Sequence, residues 1–285
     1  MPQIFSLFFV ILWSSAFITS KVIVENASPF ASLSFRFVIV AIGFLIFSIY
    51  LGKKIIVNKK ALTEACLSGI LFHGFYLGGV FYSFSLGLSA TIGALIVSLQ
   101  PILTNLLAGP FLKEEVTWKQ WIGILFGFLG TFFVIGYDFE QNIPLIALVS
   151  IIVALLAATT ATLWQKKLSD KLPLAVSNFY QAIGASIFLF LIMLLVEDPY
   201  IDFNYQFVLS MSWQIIAISF GAFTILMYLI KIGTASKTSN LFFLIAPVSA
   251  CMAWIFLKED ISKYDILGLL ISSAGVYIAT RSKKI

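Results

Sequence analysis

Arg36 is the charged side chain that this sequence places deepest inside an apolar segment. It lies seven residues after Pro29, which is about 10 Å along a helix. An arginine at that depth costs at least ~2.5 kcal/mol in lipid, so it should face a cavity or a protein partner. It could attract a carboxylate or another anionic group of a ligand. It could equally be a structural arginine bonded to helix-end carbonyls, because depth alone does not select a role.

His73 is the only histidine of the chain and lies near the middle of its apolar segment. Tyr76 follows three residues later and therefore shares its helical face. The histidine could pass protons, since its charge changes near neutral pH. Two alternatives remain open: a neutral histidine hydrogen-bonded inside a helix bundle, and a ligand contact that never takes up a proton.

Further polar, aromatic and proline residues are candidates for the wall of a ligand cavity. Trp13 lies too deep for the aromatic belt at a membrane surface. Pro101 and Pro247 each remove a helix hydrogen bond near mid-segment. Paired breaks of this kind point to a central binding site, although each proline could also be a simple kink. The candidate substrate-binding residues are Trp13, Arg36, His73, Tyr76, Tyr82, Gln100, Pro101, Tyr180, Tyr228 and Pro247, with Asn105, Asn178, Gln181 and Asn240 as further polar positions.

Carboxylates are missing from the depths of these segments. A proton-coupled multidrug pump commonly needs a buried carboxylate, so proton coupling here would run through His73 or not occur. One histidine and two isolated cysteines form no catalytic or metal-binding constellation, and the sequence has no phosphate-binding glycine loop. We therefore expect neither an enzyme nor a cofactor or metal. The nearby acidic residues stand at segment ends: Glu64, Glu114, Glu115, Glu259 and Asp260.

Ten apolar runs hold these residues, and most are long enough for one membrane-spanning helix. The chain is 60% hydrophobic and 11% charged, whereas a soluble domain is ~45–50% apolar and ~25% charged. We therefore predict an all-α membrane protein surrounded by the lipid bilayer. The charges sit at helix ends, which argues against a nucleic-acid partner despite a net charge of +5. The runs span 4–24, 30–51, 65–86, 89–112, 119–137, 144–165, 174–196, 209–231, 238–257 and 264–280.

The second half of the sequence repeats the pattern of the first. The motif LKEE at 112–115 returns as LKED at 257–260, and prolines, glycines and tyrosines recur at similar offsets. Such a repeat predicts two homologous units of five helices each. Because five is odd, the second unit must enter the membrane from the opposite side, which makes the repeat inverted. The predicted units are residues 1–137 and 144–280, followed by a tail at 281–285.

Basic residues are concentrated on one side of the predicted membrane. With the N-terminus in the cytoplasm, 14 of the 18 lysines and arginines fall in cytoplasmic segments and three in outer segments. Arg36 lies within a helix. This bias predicts that both termini are cytoplasmic. Tyr180 takes the position of Arg36 in the second half, so the two halves do not contribute equal charge.

Small residues form ridges on the fifth and tenth predicted helices. Such ridges let helices approach closely in lipid, where hydrophobicity cannot drive their association. We expect them to pack within the chain, and a homodimer through helices five and ten is the alternative. The ridges consist of Gly123, Gly127 and Gly130 in the first half and of Gly268, Ser272 and Gly275 in the second.

The charged pairs Lys113-Glu114 and Lys258-Glu259 are predicted at opposite membrane faces. They could close two gates through salt bridges. Helix termination and loop anchoring explain them as well, since exposed pairs are worth only ~0–1 kcal/mol.

The order and duplication of these features resemble the EamA-like ten-helix members of the drug/metabolite transporter superfamily. This resemblance implies a multi-pass secondary transporter of the cell (inner) membrane that moves a small-molecule substrate by alternating access. Export of amino acids or related amphipathic solutes is the leading expectation. A metabolite uptake permease and a multidrug efflux carrier are alternatives, and a membrane-embedded enzyme or an accessory protein would belong to another class. The resemblance is carried by Trp13-Ser14-Ser15-Ala16-Phe17, Pro29 with Arg36-Phe37, Pro101 with Lys113-Glu114, the Gly123/Gly130 helix, and the copy from Pro247 to Gly275.

Overall fold

The computed structural model describes residues 2–113, 117–138, 144–169, 171–259 and 262–280, and it places ten helices in them. Eight helices are long and apolar enough to cross a membrane, and the fifth and tenth carry shorter apolar stretches. The predicted all-α membrane architecture is therefore confirmed. The helices are α1 Pro2–Asn26, α2 Pro29–Tyr50, α3 Lys59–Ser85, α4 Ala90–Leu112, α5 Trp118–Asp138, α6 Leu145–Leu168, α7 Leu174–Val196, α8 Tyr205–Ile232, α9 Ala235–Phe256 and α10 Lys263–Thr280.

Two helices begin earlier than their apolar runs because asparagine side chains cap them. α3 starts at Lys59 rather than at 65, and α8 starts at Tyr205 rather than at 209. Asn58 accepts a hydrogen bond from the Ala61 N–H, and Asn204 caps α8 in the same manner. Such caps satisfy helix-end donors, so each helix continues into the polar sequence that hydropathy leaves out.

Corresponding helices of the two halves share a local distortion. The middle of α3, Ile70–Leu77, and the middle of α8, Gln214–Ala222, are π-helical. π-Helical turns are rare in α-helices and frequently mark functional sites. Their presence at equivalent positions supports the homology of the two halves, and both segments border the space between α3 and α8.

Pro101 and Pro247, one in each half, also lie at equivalent irregularities of their helices. α4 is interrupted at residues 98–99, directly before Pro101, and α9 contains a short 3₁₀ turn, Asn240–Leu244, before Pro247. A proline has no N–H to donate to the helix, which explains a break at each position. The breaks are thus present in both halves, and their part in transport remains a prediction.

The helix connections meet at two ends of the bundle. At one end, here called the Glu197 end, Ala27 forms a bridge with Ile201, and Glu197 accepts hydrogen bonds from the N–H groups at the start of α2. Burial raises the pKa of Glu197, while these N–H donors act in the opposite direction. At the other end, here called the Lys171 end, Lys171 forms a salt bridge with Glu64.

Two lysines occupy equivalent places in the halves and close the ends of two helices. Lys21 Nζ donates to the carbonyl oxygens of Phe84 and Leu88, at 3.1 and 3.3 Å, at the Glu197 end. Lys166 Nζ donates to the Gly233 carbonyl at 2.7 Å, at the Lys171 end. A lysine bonded to the last carbonyls of a helix also complements its dipole. These two contacts, here called the lysine clamps, hold α3 and α8 respectively.

The repeated Lys-Glu pairs end helices, and the described one anchors a loop. Lys113 and Lys258 both adopt left-handed backbone conformations, with φ of 56° and 57°. Glu259 accepts a hydrogen bond from Thr91 Oγ1 at 2.6 Å and caps the start of α4. Among the described residues it forms no salt bridge, so the structure supports loop anchoring rather than an ionic gate. Glu114 lies outside the described residues, as does the tail 281–285.

The glycine ridges of α5 and α10 pack against each other within the chain. A Cβ on Gly275 would lie 2.6 Å from the Gly123 carbonyl oxygen, and one on Gly127 would lie 2.5 Å from the Phe243 ring. Gly130 and Gly268 are buried as well. These ridges therefore serve intramolecular packing, as expected for small residues in lipid, and the alternative of a homodimer through them is not shown.

Candidate functional site

A narrow cavity lies between α1, α2, α3 and α8, beside the two π-helical segments. Its wall includes four of the predicted residues, Trp13, Arg36, His73 and Tyr76. The volume of this cavity is only about 20 Å³, which leaves room for little more than one water molecule. A solute can therefore occupy this cavity only after the surrounding helices have moved apart.

Arg36 is a buried cation in the wall of this cavity, with 2% of its surface exposed. Its Nε donates to Ser219 Oγ at 3.0 Å, and its guanidinium carbon lies 5.2 Å from the ring centroid of Phe37. The one salt bridge among the described residues joins Lys171 to Glu64, so Arg36 has no carboxylate partner there. A buried charge without a counter-charge is strongly unfavourable, and this position is compatible with the predicted binding of an anion.

Trp13 and Tyr76 form the aromatic side of the cavity. The indole Nε1 of Trp13 donates to the Tyr76 hydroxyl oxygen at 3.3 Å, and both side chains are buried. The Trp13 ring also packs against Phe9 and Phe242 at centroid distances of 5.2 and 5.8 Å. Because Trp13 supplies a donor to Tyr76, the hydroxyl hydrogen of Tyr76 is free to donate to a bound solute.

His73 is enclosed by aromatic rings rather than by polar groups. Its ring centroid lies 4.5 Å from that of Phe37, 4.6 Å from Phe223 and 5.3 Å from Phe72. Its Nδ1 is buried and finds no hydrogen-bond partner among the described residues. These contacts give no support to a structural hydrogen bond at Nδ1, and the roles of proton carrier and ligand contact stay predictions.

Three predicted tyrosines lie away from this cavity. Tyr82 stacks on Phe30 at a centroid distance of 5.7 Å, and Tyr228 is 40% exposed at the bundle surface. Tyr180 donates its hydroxyl to the Ile55 carbonyl at 2.9 Å, near the Lys171 end. Their side chains make local packing contacts, so a direct part in the same site as Arg36 is not supported by their positions.

Most of the remaining predicted residues belong to a second polar region, formed by α4, α6, α7 and α9. Asn178 is buried on α7, and its amide has no hydrogen-bond partner among the described residues. Gln100 Nε2 donates to Thr162 Oγ1 at 2.8 Å, and Pro101 and Pro247 are buried in the same helices. Asn105 bonds to Asn240 at 3.0 Å and Gln165 to Gln181 at 3.2 Å. We call this set the buried amides, and it consists of Gln100, Asn105, Gln165, Gln181 and Asn240.

Gln214 and Ser219 are among the cavity residues that were not predicted from the sequence. Both lie on the π-helical segment of α8 and line the cavity. The repeat did contain a signal for one of them, since Ser219 follows His73 by 146 positions, the offset that also relates Tyr82 to Tyr228. Gln214 had no such signal, because its position in the first half is held by Ser68.

Comparison with known proteins agrees with this architecture. The model of the EamA-like transporter family matches residues 1–136 and again residues 145–281. A solved crystal structure of another protein superposes with a TM-score of 0.77 at 16% identity and covers 98% of both chains. At that identity the likeness concerns the fold alone.

Several full-length relatives are named as transporters. An uncharacterized transporter of Bacillus subtilis, YyaM, is 30% identical over 95% of this chain and 91% of its own. One of Archaeoglobus fulgidus is 29% identical over 96% of both. The S-adenosylmethionine uptake transporter of Rickettsia prowazekii is 26% identical over 94% of this chain and 88% of its own. With two matches that together span nearly the whole sequence, the chain belongs to the EamA-like transporter family and is a multi-pass membrane transporter rather than an enzyme.

Proposed function

We propose that this protein is a secondary transporter of small solutes that carry an anionic group, with amino acids and related amphipathic metabolites as the leading class. The observation that supports it is Arg36, a buried cation in the cavity wall with no carboxylate partner among the described residues. Among the described residues its guanidinium makes one hydrogen bond, from Nε, so its terminal N–H groups suit a carboxylate, which they can bind through paired hydrogen bonds. Tyr76 supplies a further donor beside it.

The proposed topology is two inverted units, residues 1–137 and 144–280, with both termini in the cytoplasm. The bias of basic residues makes the Lys171 end the cytoplasmic one. The lysine clamps support the inversion, because Lys21 and Lys166 close equivalent helices at opposite ends of the bundle. The paired π-helical segments and proline breaks support the equivalence of the units.

In alternating access, the cavity would open to one end of the bundle at a time. The narrow cavity requires helix movement before a solute can enter. At the Glu197 end, Lys21 and Glu259 hold the connection between α3 and α4, and at the Lys171 end Lys166 holds the end of α8. Breaking the contacts at one end while those at the other end stay intact would open the cavity to one side. The lysine clamps would then act as alternating gates of the two units.

Export is the proposed direction, as the resemblance to EamA-like members of the drug/metabolite transporter superfamily implies. Uptake is the alternative, and the Rickettsia relative named for S-adenosylmethionine uptake favours it. Multidrug efflux by cation exchange fits less well, because the described helices place no carboxylate beside the cavity. Movement of the solute down its own gradient, without ion coupling, agrees with the lack of a carboxylate beside the cavity in the described helices.

Counterflow in proteoliposomes tests this proposal. Vesicles loaded with unlabelled amino acids and metabolites would be offered each labelled compound in turn, at equal pH on both sides. We expect counterflow of at least one carboxylate-bearing solute by the natural protein and its loss in Arg36→Gln. Tyr228→Phe is the matched control, since this residue lies outside the cavity, and it should keep the rate. If folded protein moved no compound of the panel, or if Arg36→Gln kept the full rate, the proposal would be abandoned.

A further inference from the structure

We propose that Gln214 is a specificity-determining residue, whose carbonyl oxygen accepts a hydrogen bond from a donor group next to the anionic group of the solute. This inference rests on the proposed function, in which Arg36 binds the anion. It narrows the substrate class to 2-amino or 2-hydroxy carboxylates, in which an acceptor and a donor stand on adjacent carbons.

The orientation of the Gln214 amide follows from its partners on α1. Its Nε2 lies 2.9 Å from the Ala16 carbonyl oxygen, 2.8 Å from Thr19 Oγ1 and 3.0 Å from Ser20 Oγ, and its two hydrogens are shared among these three acceptors. A backbone carbonyl can only accept, so the NH₂ group must be the one that faces α1. The carbonyl oxygen, Oε1, therefore points away from these groups.

Oε1 of Gln214 is a buried acceptor without a donor. The residue is 1% exposed, and Oε1 has no hydrogen-bond partner among the described residues. Leaving a buried acceptor unpaired costs about 1–3 kcal/mol. Because the side chain lines the same cavity as Arg36, a solute held there can supply the missing donor.

The π-helical segment brings Gln214 and Arg36 to the same space. Arg36 is bonded to Ser219, which lies five residues after Gln214. A π-helix bonds residue i to residue i+5, so these two positions share one face of α8, within about 8 Å along its axis. The cavity thus presents donors at Arg36 and an acceptor at Gln214, about one helical turn apart.

A plain carboxylate would satisfy only half of this arrangement. It would occupy Arg36 and leave Gln214 Oε1 unpaired and shut off from water. Sites built to hydrogen-bond a donor discriminate strongly against analogues that lack it, because the polar group of the protein is then left without a partner. An ammonium or hydroxyl group on the carbon next to the carboxylate supplies that donor.

The test compares pairs of acids with and without this donor, on purified protein in detergent. The pairs are alanine and propionate, leucine and 4-methylpentanoate, phenylalanine and 3-phenylpropionate, and glutamate and glutarate, with 2-hydroxy-4-methylpentanoate to separate hydroxyl from ammonium. Apparent affinities are obtained from the ligand-dependent rise in Tm, since a ligand that binds the folded state raises it. Binding rather than transport is measured, because protonated carboxylic acids cross lipid unaided.

We expect the natural protein to prefer the donor-bearing member of at least one pair by about tenfold or more. Gln214→Met keeps the unbranched shape without the amide, and it should reduce that preference to within about threefold. Gln165→Met is the matched control, a buried glutamine of the second polar region, and it should leave the preference unchanged. If Gln214→Met fails to fold, Gln214→Leu replaces it.

Two results would overturn the inference. One is a preference for the donor-bearing acid that survives in Gln214→Met, and the other is natural protein that binds both members of every pair equally or binds none of them. A failure of this inference alone is recognisable, because Arg36→Gln would still abolish carboxylate transport. If Arg36→Gln left it intact, the proposed function would fail as well.

Discussion

The cavity beside Arg36 and the buried amides are two polar regions built on the same repeated scaffold. Helices α2 and α7 begin at Pro29 and Leu174, an offset of 145, which aligns Arg36 with Gln181, whereas the sequence pattern alone had aligned it with the neighbouring Tyr180. The same offset relates Lys21 to Lys166 and Ser20 to Gln165. In one region a cation has no counter-charge among the described residues, while in the other two amides bond to each other at 3.2 Å. The duplicated scaffold has therefore kept its helices and clamps, and its charge differs between the two regions.

From this difference we expect the buried amides to stabilise helix packing and the cavity beside Arg36 to recognise the substrate. The buried amides meet part of their hydrogen-bonding demand within the protein, so a neutral polar region can stabilise helix packing in lipid. Within the described part of the chain, Arg36 has Ser219 as its hydrogen-bond partner and the Phe37 ring as its cation–π partner, and it has no carboxylate partner. An anion from outside would complete that region, so substrate charge should be recognised on one side of the repeat only.

The largest expected effect is on anion binding. Arg36→Gln should weaken the binding of a transported carboxylate by about 100-fold, because losing a buried charge partner costs about 2–5 kcal/mol. Gln181→Leu, at the equivalent position, should change it by less than about threefold. Isothermal titration of both variants measures the two affinities. Equal losses in the two variants would remove the distinction between the regions.

Stability should change in the reverse order. Gln181→Leu leaves Gln165 without its acceptor and should lower the free energy of unfolding by about 1–3 kcal/mol. Arg36→Met removes an uncompensated buried charge, and replacing such a group by an apolar one of similar volume is often neutral or stabilising. Thermal unfolding in detergent, without ligand, compares the two. A clear loss of stability in Arg36→Met would identify the arginine as a structural residue.

Substitution of either clamp lysine should expose the cavity to a similar extent, but from opposite ends of the bundle. Lys21→Met should make the cavity reachable from the Glu197 end, and Lys166→Met from the Lys171 end, because each releases the end of one helix. The measurement is labelling of Ser20→Cys by a membrane-impermeant thiol reagent, after Cys66 and Cys251 are replaced by alanine. Labelling is followed in vesicles of both orientations. Both clamps acting on the same side would contradict the inverted arrangement.

The smallest effects are expected at the tyrosines outside both regions. Tyr82→Phe and Tyr228→Phe remove hydroxyl groups that do not line the cavity, so counterflow should change by less than about twofold, as for ordinary surface substitutions. The rate of substrate counterflow checks this. A loss as large as that of Arg36→Gln in either variant would show that the site extends to the ends of these helices.

The fold could be predicted because its determinants are local and repeated. Apolar runs located the helices, and the positions that hydropathy misplaced are those where Asn58 and Asn204 extend a helix by capping it. The site was predicted in part: Trp13, Arg36, His73 and Tyr76 do line one cavity. Their roles remain predictions.

Gln214 and Ser219 could not be found from α-helical periodicity, since residues five apart share a face only where the helix is π-helical. Tyr82 and Tyr228 were candidates because the repeat singled them out. Equivalent positions in a repeat share a place in the scaffold, and they need not share a ligand. Whether an equivalent position contacts the ligand depends on packing between helices that are distant in the sequence.

The most direct test of the central claim compares an acid with its amide. The affinities of the natural protein and of Arg36→Gln are measured for one transported carboxylate and for the carboxamide of the same compound. If Arg36 binds the carboxylate, the natural protein prefers the acid by at least about tenfold, as expected for a charge-assisted pair, and the variant loses this preference. If the variant keeps the same preference for the acid, another group recognises the anion and the account of this cavity is wrong.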